Sequence, residues 1–151
     1  METTLPFRRF PKYPHLLPGD VKLWELFLDA NHPDILTVVY DVHLGPGTEI
    51  PTNLPDNIKR MATAITQYRV DVIVSTKTTI HPVEIKPQAG LTALGQALGY
   101  TYMYKLERSP DLPVQATVLT NFLKPGLATL YKSYGVEVWT VDSPLISVEP
   151  T

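Results

Sequence analysis

Six residues between positions 71 and 100 have types and spacing that suit metal-dependent chemistry. An acid stands at Asp71, an acid–x–lysine triplet runs from Glu84 through Ile85 to Lys86, and Gln96 and Tyr100 lie four apart. Two carboxylates side by side repel, and each is costly to bury without a partner. A divalent cation relieves both problems, and oxygen ligands suit Mg²⁺ or Mn²⁺. Such an ion binds a phosphate oxygen and lowers the pKa of a bound water. A lysine beside it could hold or deprotonate that water.

A β-hairpin would bring the two acids together. Asp71 and Glu84 are equidistant from the midpoint between Lys77 and Thr78, so symmetric pairing places them opposite each other, ~4.5–5.5 Å apart at Cβ. Glu84 and Lys86 are two apart and share a strand face. Lys-Thr is poor chemistry for a two-residue turn, so a wider loop or a bulge would shift this register. The alternative interpretation is a surface hairpin whose Glu84 and Lys86 are solvated.

The hydrophobic pattern predicts the elements that position this hairpin. Helices are expected at about 20–30, 57–68, 91–107 and 125–134, and strands at about 35–44, 70–76, 80–87, 114–121 and 136–142. Asp20 is the predicted N-cap of the first helix. The order α-β-α-β-β-α-β-α-β predicts an α/β fold with a single mixed sheet flanked by helices on both faces.

Proline content divides the chain into three predicted segments. Residues 1–19 form an extended, proline-rich N-terminal arm, residues 20–142 the folded domain, and residues 143–151 a C-terminal tail. Basic and aromatic residues alternate in the arm, which favours a strap onto a partner or onto phosphates. The alternative is a segment that packs along the surface of its own domain.

Composition is that of a globular intracellular protein. Of the 151 residues, 44% are apolar and 19% are charged, which argues against disorder. The net charge of −2 argues mildly against a nucleic-acid binder, although a total can hide a local basic groove. Cysteine is absent, so disulfides and thiolate metal sites are excluded. The sequence contains neither a signal peptide nor an apolar run of membrane-spanning length, so we expect a cytoplasmic protein without membrane contact.

Asp71 followed by Glu84-Ile85-Lys86 resembles the PD-(D/E)XK nuclease superfamily, whose fold is that of restriction endonucleases. Gln96 followed by Tyr100 is similar to the Gln-x-x-x-Tyr motif of its RecB-like branch. The resemblance implies that Asp71, Glu84 and the Ile85 carbonyl bind the metal, and that Lys86 positions the nucleophilic water. It also implies a further acid on the first helix, for which Glu25 is the candidate.

The side chains beyond the hairpin allow two interpretations each. Gln96 and Tyr100 lie one helical turn apart and would bind a DNA phosphate or orient Lys86; alternatively, Tyr100 is a half-buried packing residue. His43 shares a strand face with Asp41 but has no second histidine at ligand spacing, and is interpreted as structural.

Two functions are therefore carried forward. The first is a Mg²⁺- or Mn²⁺-dependent DNA nuclease that uses Asp71, Glu84 and Lys86. The second is a catalytically inactive interaction or assembly protein on the same fold, for example a viral structural component. It would bind partners or further copies of itself through residues 5–19 and 143–151.

Overall fold

The computed structural model describes residues 2–47 and 53–141. Its helices are α1 (Pro18–Asp29), α2 (Asp56–Thr66), α3 (Leu91–Arg108) and α4 (Ala128–Ser133). Its strands are β1 (Leu5–Pro6), β2 (Ile35–Leu44), β3 (Tyr68–Thr76), β4 (Ile80–Ile85), β5 (Gln88–Ala89), β6 (Thr117–Thr120), β7 (Phe122–Leu123) and β8 (Glu137–Thr140).

The six-stranded main sheet has the order β1-β2-β3-β4-β6-β8. From β1 to β4 neighbouring strands are antiparallel, whereas β4, β6 and β8 are parallel. Parallel neighbours need a crossover, and α3 and α4 lie in the two crossovers. β5 and β7 form a small second sheet. The predicted mixed α/β sheet with flanking helices is confirmed, and the longer elements follow in the predicted order.

The first helix begins two residues earlier than its pattern indicates. Leu17 is the N-cap and Pro18 the first helical residue, since the fixed φ of proline suits the first turn. Asp20 is therefore inside the helix and not its N-cap as predicted. Its carboxylate accepts a hydrogen bond from the backbone of Leu17, as the third helical residue does in a capping box.

The core lies on both faces of the sheet. On one face α1 buries Trp24, whose indole N–H donates 2.8 Å to the hydroxyl of Tyr40 on β2. On the other, α3 and α4 bury a second cluster that includes Ala97 and Tyr131, and the Tyr131 hydroxyl donates to the carbonyl of Gly90 at 2.5 Å. Both aromatic side chains are fully buried, and their polar atoms are satisfied as burial requires.

The proline-rich arm packs on its own domain. Leu5 and Pro6 pair with β2, and the Phe7 ring lies edge-on to the ring of Trp24 at 6.0 Å. The buried Tyr13 accepts a hydrogen bond from the backbone of Phe10 and donates one to Glu25. These contacts correspond to the second interpretation of the arm. The division into arm, domain and tail stays a prediction, and the tail at 143–151 lies outside the described residues.

None of the helices in the described ranges is long and apolar enough to cross a membrane.

Candidate functional site

The β3–β4 hairpin has the symmetric register that the sequence predicts. Its pairs run from Ser75–Ile80 to Val72–Val83, and the same register one residue further sets Asp71 opposite Glu84. The turn is closed without glycine because the Thr76 hydroxyl accepts hydrogen bonds from the N–H groups of Thr78 and Thr79, at 3.2 and 3.0 Å. These hydrogen bonds to a side chain stabilise the turn, although its Lys-Thr sequence does not favour a two-residue turn.

The two strands separate at the acids. Regular β3–β4 pairing ends at Val72 and Val83, while β4 continues beside β6, with Glu84 paired to Val118. The Ile85 N–H, which no longer meets a β3 carbonyl, donates 2.9 Å to Oδ2 of Asp71 instead. Since the N–H and C=O of one strand residue point to the same side, the Ile85 carbonyl is also directed into this fork.

A cleft of about 330 Å³ opens at the fork. It is lined by Pro14, His15, Leu17, Asp20, Asp41, Arg69, Val70, Asp71, Glu84, Ile85, Lys86, Gln96 and Tyr100. Asp71, Glu84, Ile85 and Lys86 of the predicted hairpin site are thus brought together, and Gln96 and Tyr100 approach them from α3. Glu25 is not among the lining residues.

Burial dominates the electrostatics of the two acids. It raises the pKa of Asp71 to about 6 and that of Glu84 to about 9. The negative charge of Asp71 adds to the rise at Glu84, while the positive charge of Lys86 opposes it. No salt bridge to either carboxylate occurs among residues 2–47 and 53–141. The site therefore lacks the positive charge that would keep both acids ionised at neutral pH.

Of the acids on the first helix, Asp20 lines the cleft, whereas Glu25, the candidate that the resemblance implies, does not. The Glu25 carboxylate instead lies 3.5 Å from Arg9 and accepts a hydrogen bond from Tyr13 at 3.1 Å. Asp20 lies one and a half turns earlier, and burial raises its pKa. From the sequence, Asp20 was predicted to be the N-cap, and Glu25 was the candidate for the acid that the resemblance implies.

Gln96 and Tyr100 share the α3 face that borders the cleft. The Gln96 amide N–H group donates a long, weak hydrogen bond of 3.5 Å to the Tyr100 hydroxyl. Oε1 of Gln96 is buried and has no hydrogen-bond partner in the part of the chain that the structure describes. Burial, and next the nearby Glu84 carboxylate, raise the pKa of the Tyr100 hydroxyl. A buried acceptor without a donor is costly, so Gln96 is suited to bind something from the cleft.

The donor atoms of the cleft fit a hard divalent cation. They are carboxylate oxygens of Asp71 and Glu84 and the Ile85 carbonyl, with Asp20 nearby on the helix side. No group of three or more His, Asp or Glu side chains in the described ranges could hold a metal ion. Mg²⁺ keeps several waters and is commonly bound through one or two carboxylates. Two acids and one main-chain oxygen therefore suit it without a third acid.

A second polar cluster beside the cleft was missed by sequence reasoning. Arg69 donates through Nε to Oδ1 of Asp41 at 2.9 Å and through Nη2 to Oδ2 at 3.1 Å. Nε2 of His43 and Nε2 of His15 both lie 3.3 Å from Oδ2 of Asp41. One signal was available, because Arg69 precedes Asp71 by two residues on the same strand. The contact with His15 depends on the path of the arm and has no signature in the sequence.

No protein-family model and no curated protein matches this chain. Among solved structures, the chain is similar to a repair endonuclease from Pyrococcus abyssi, with a TM-score of 0.44 and 20% sequence identity. The similarity covers 70% of this chain and 40% of that protein. The chain thus spans less than half of the endonuclease.

Proposed function

We propose that this protein is a metal-dependent DNA nuclease of the PD-(D/E)XK type. The observation that carries the proposal is the fork between β3 and β4, where the buried Glu84 and the half-buried Asp71 form no salt bridge with the described residues. Purely structural acids in such a place would be expected to have a cationic partner. Two acids that lack one, in an open cleft with a lysine, are typical of a functional site.

The proposed cation is Mg²⁺ or Mn²⁺, held by Asp71, Glu84 and the Ile85 carbonyl, with Asp20 as a further acid. When bound, it would lower the pKa of a water ligand and neutralise charge on the phosphate in the transition state. The raised pKa of Glu84 means that cation binding must displace a proton at neutral pH, so binding is stronger at higher pH.

The chain's own side chains would supply orientation and hydrogen bonds. Lys86 lies two residues after Glu84 and lines the same cleft. Its ammonium group would hold the attacking water by donating a hydrogen bond to it and would attract the phosphate. The Tyr100 hydroxyl would donate to a non-bridging phosphate oxygen, and the Gln96 side chain would fix that hydroxyl. These groups would be in position before the substrate binds. Because none of them would then have to reorganise, the activation barrier of cleavage would be lower.

The decisive experiment is a cleavage assay with purified protein. Single-stranded, duplex and nicked DNA are incubated with Mg²⁺ or Mn²⁺, and an Asp71→Asn/Glu84→Gln variant serves as the matched control. We expect metal-dependent products with the wild type and none with the variant. The proposal is abandoned if folded wild-type protein cleaves none of these substrates, or if the variant cleaves them equally well.

The inactive assembly protein remains the alternative. It rests on the extended termini, of which residues 143–151 lie outside the described part of the chain. A large assembly in solution, measured by mass, together with no cleavage would favour this alternative.

A further inference from the structure

A second cavity adjoins the cleft and shares its wall. It has a volume of about 430 Å³ and is lined by Glu2, Pro14, Tyr40, Asp41, His43 and Arg69. Pro14, Asp41 and Arg69 line the cleft of the carboxylates as well. Arg69 therefore lies where the two cavities adjoin. None of the residues assigned to the nuclease chemistry lies in the second cavity.

The Arg69 guanidinium is held in one orientation and still has donors to offer. A guanidinium carries five N–H donors in a fixed fork. Nε and Nη2 are directed at Asp41, and they also contact His43 and His15 respectively. Nη1 makes no hydrogen bond or ion pair with any described residue. About a third of the Arg69 side chain, 32%, is exposed. Two oriented donors therefore remain available on a solvent-accessible group.

Backbone strain is concentrated around this arginine. Asp41 has φ +53° and His15 has φ +60°, and only one other non-glycine residue in the described ranges has a positive φ. Such conformations cost free energy and persist where the surroundings enforce them, often at binding sites. Asp41 lies on β2 between the pairs Tyr40–Val72 and Val42–Val70, which have the same register. Both strained residues touch Arg69, directly through their side chains.

The charge of the cleft bears on what the Arg69 cluster could bind. Asp20, Asp41 and Asp71 are acidic side chains that line the cleft, so a polyanionic DNA strand needs positive charge beside them. Asp41 neutralises part of the Arg69 charge. The imidazoles of His15 and His43 lie beside the Asp41–Arg69 pair. Arginine is suited to phosphate because its planar fork matches two phosphate oxygens.

We propose that Arg69, oriented by Asp41 and flanked by His15 and His43, binds a backbone phosphate of DNA next to the one that is cleaved. This inference rests on the proposed function, since it identifies the substrate-binding part of the same cleft. DNA would then enter along the second cavity, with Nη1 of Arg69 donating to the phosphate.

Binding can be measured without cleavage. A short fluorescent DNA duplex and its single strand are titrated with protein by anisotropy at several salt concentrations, in Ca²⁺ and separately in EDTA. We expect Arg69→Gln to weaken binding about tenfold and to lower the salt slope by about one. Arg9→Gln is the matched control, since Arg9 pairs with Asp29 and Glu25 and lines neither cavity. It should leave affinity and slope unchanged.

A second variant tests whether a loss of DNA binding results from misfolding. Arg69→Gln alone leaves Asp41 without its partner, whereas Asp41→Asn/Arg69→Gln removes both charges together. The double variant should melt as a folded protein and show the same loss of affinity and slope. The inference is overturned if either folded variant binds like the wild type, if Arg9→Gln loses as much, or if wild type binds no DNA. Wild-type protein that binds through Arg69 but cuts nothing would instead overturn only the nuclease proposal.

Discussion

The carboxylate of Asp71 accepts a 2.9 Å hydrogen bond from the backbone N–H of Ile85. This bond joins the acid of β3 to the middle residue of the acid–x–lysine triplet on β4. It takes the place of the next backbone hydrogen bonds that would join the two strands of the hairpin. The opening of the hairpin and the position of the acid are therefore one structural feature, and a change at Asp71 should alter both.

Lys86→Ala should lower cleavage by ~10²-fold or more, the usual effect of deleting one preorganised catalytic group. The fold should persist, because Lys86 forms no salt bridge with the described residues. Initial rates in Mg²⁺ and melting temperature check this expectation. Lys77→Ala, at the exposed turn of the same hairpin, is the control and should cleave normally. Equal rates for the two variants would remove Lys86 from the mechanism.

Glu84→Gln should stabilise the metal-free protein at alkaline pH. Burial raises the pKa of Asp71 to about 6 and of Glu84 to about 9, above their ordinary values of 3.8 and 4.5. The folded protein thus holds these protons more tightly than the unfolded chain does. The stability they contribute is fully present below pH 4, and it is lost as pH rises towards 6 for Asp71 and 9 for Glu84.

Glutamine is neutral at every pH, so the Glu84→Gln variant does not lose the stability that wild-type protein loses when Glu84 ionises. We expect a gain of about 2 kcal/mol or more at pH 8 and little change at pH 4. Denaturant unfolding in EDTA at both values measures it, with Asp111→Asn as an exposed control. Added Mg²⁺ should stabilise wild type and not the variant. A variant less stable than wild type at pH 8 would contradict the assigned protonation of Glu84.

Asp20→Asn should weaken metal-dependent cleavage about tenfold or more, a loss comparable to that of removing a metal-supporting group. Glu25→Gln should leave cleavage unchanged, because the Glu25 carboxylate contacts Arg9 and Tyr13 and does not line the cleft. Metal titrations of cleavage by both variants separate the two acids. The opposite result would restore Glu25 as the acid of the first helix.

Tyr100→Phe should raise KM about tenfold, the value of one hydrogen bond to a charged group. The ring remains, so packing against the buried cluster of Val42, Leu44, Val70 and Ile73 is preserved. Tyr102→Phe is the control on the same helix, since its side chain is exposed. Steady-state kinetics distinguish the two. If both substitutions are silent, Tyr100 is a packing residue, as the second interpretation of the sequence held.

The sequence was most informative where a pattern is local. Asp71 and Glu84 were placed opposite each other by counting from a turn, since antiparallel register depends only on separation along the chain. Gln96 and Tyr100 were placed on one face by helical spacing. Asp20 was assigned to the wrong position because caps depend on one or two residues at a boundary. The contact of His15 with Arg69 could not be predicted, because His15 reaches Arg69 through the path of an irregular, proline-rich segment.

The order of strands in the sheet also has a consequence for how the protein folds. The β3–β4 hairpin pairs residues that are near in sequence, whereas β4 and β6 can pair only after α3 has crossed the sheet. Local contacts form sooner, because closing a short loop costs less entropy. The two acids should therefore meet before the helix that carries Gln96 and Tyr100 docks over them. Pulsed hydrogen exchange during refolding should protect the N–H of Val74 before that of Leu119, the β6 residue whose backbone faces β4, and the reverse order would refute this sequence of events.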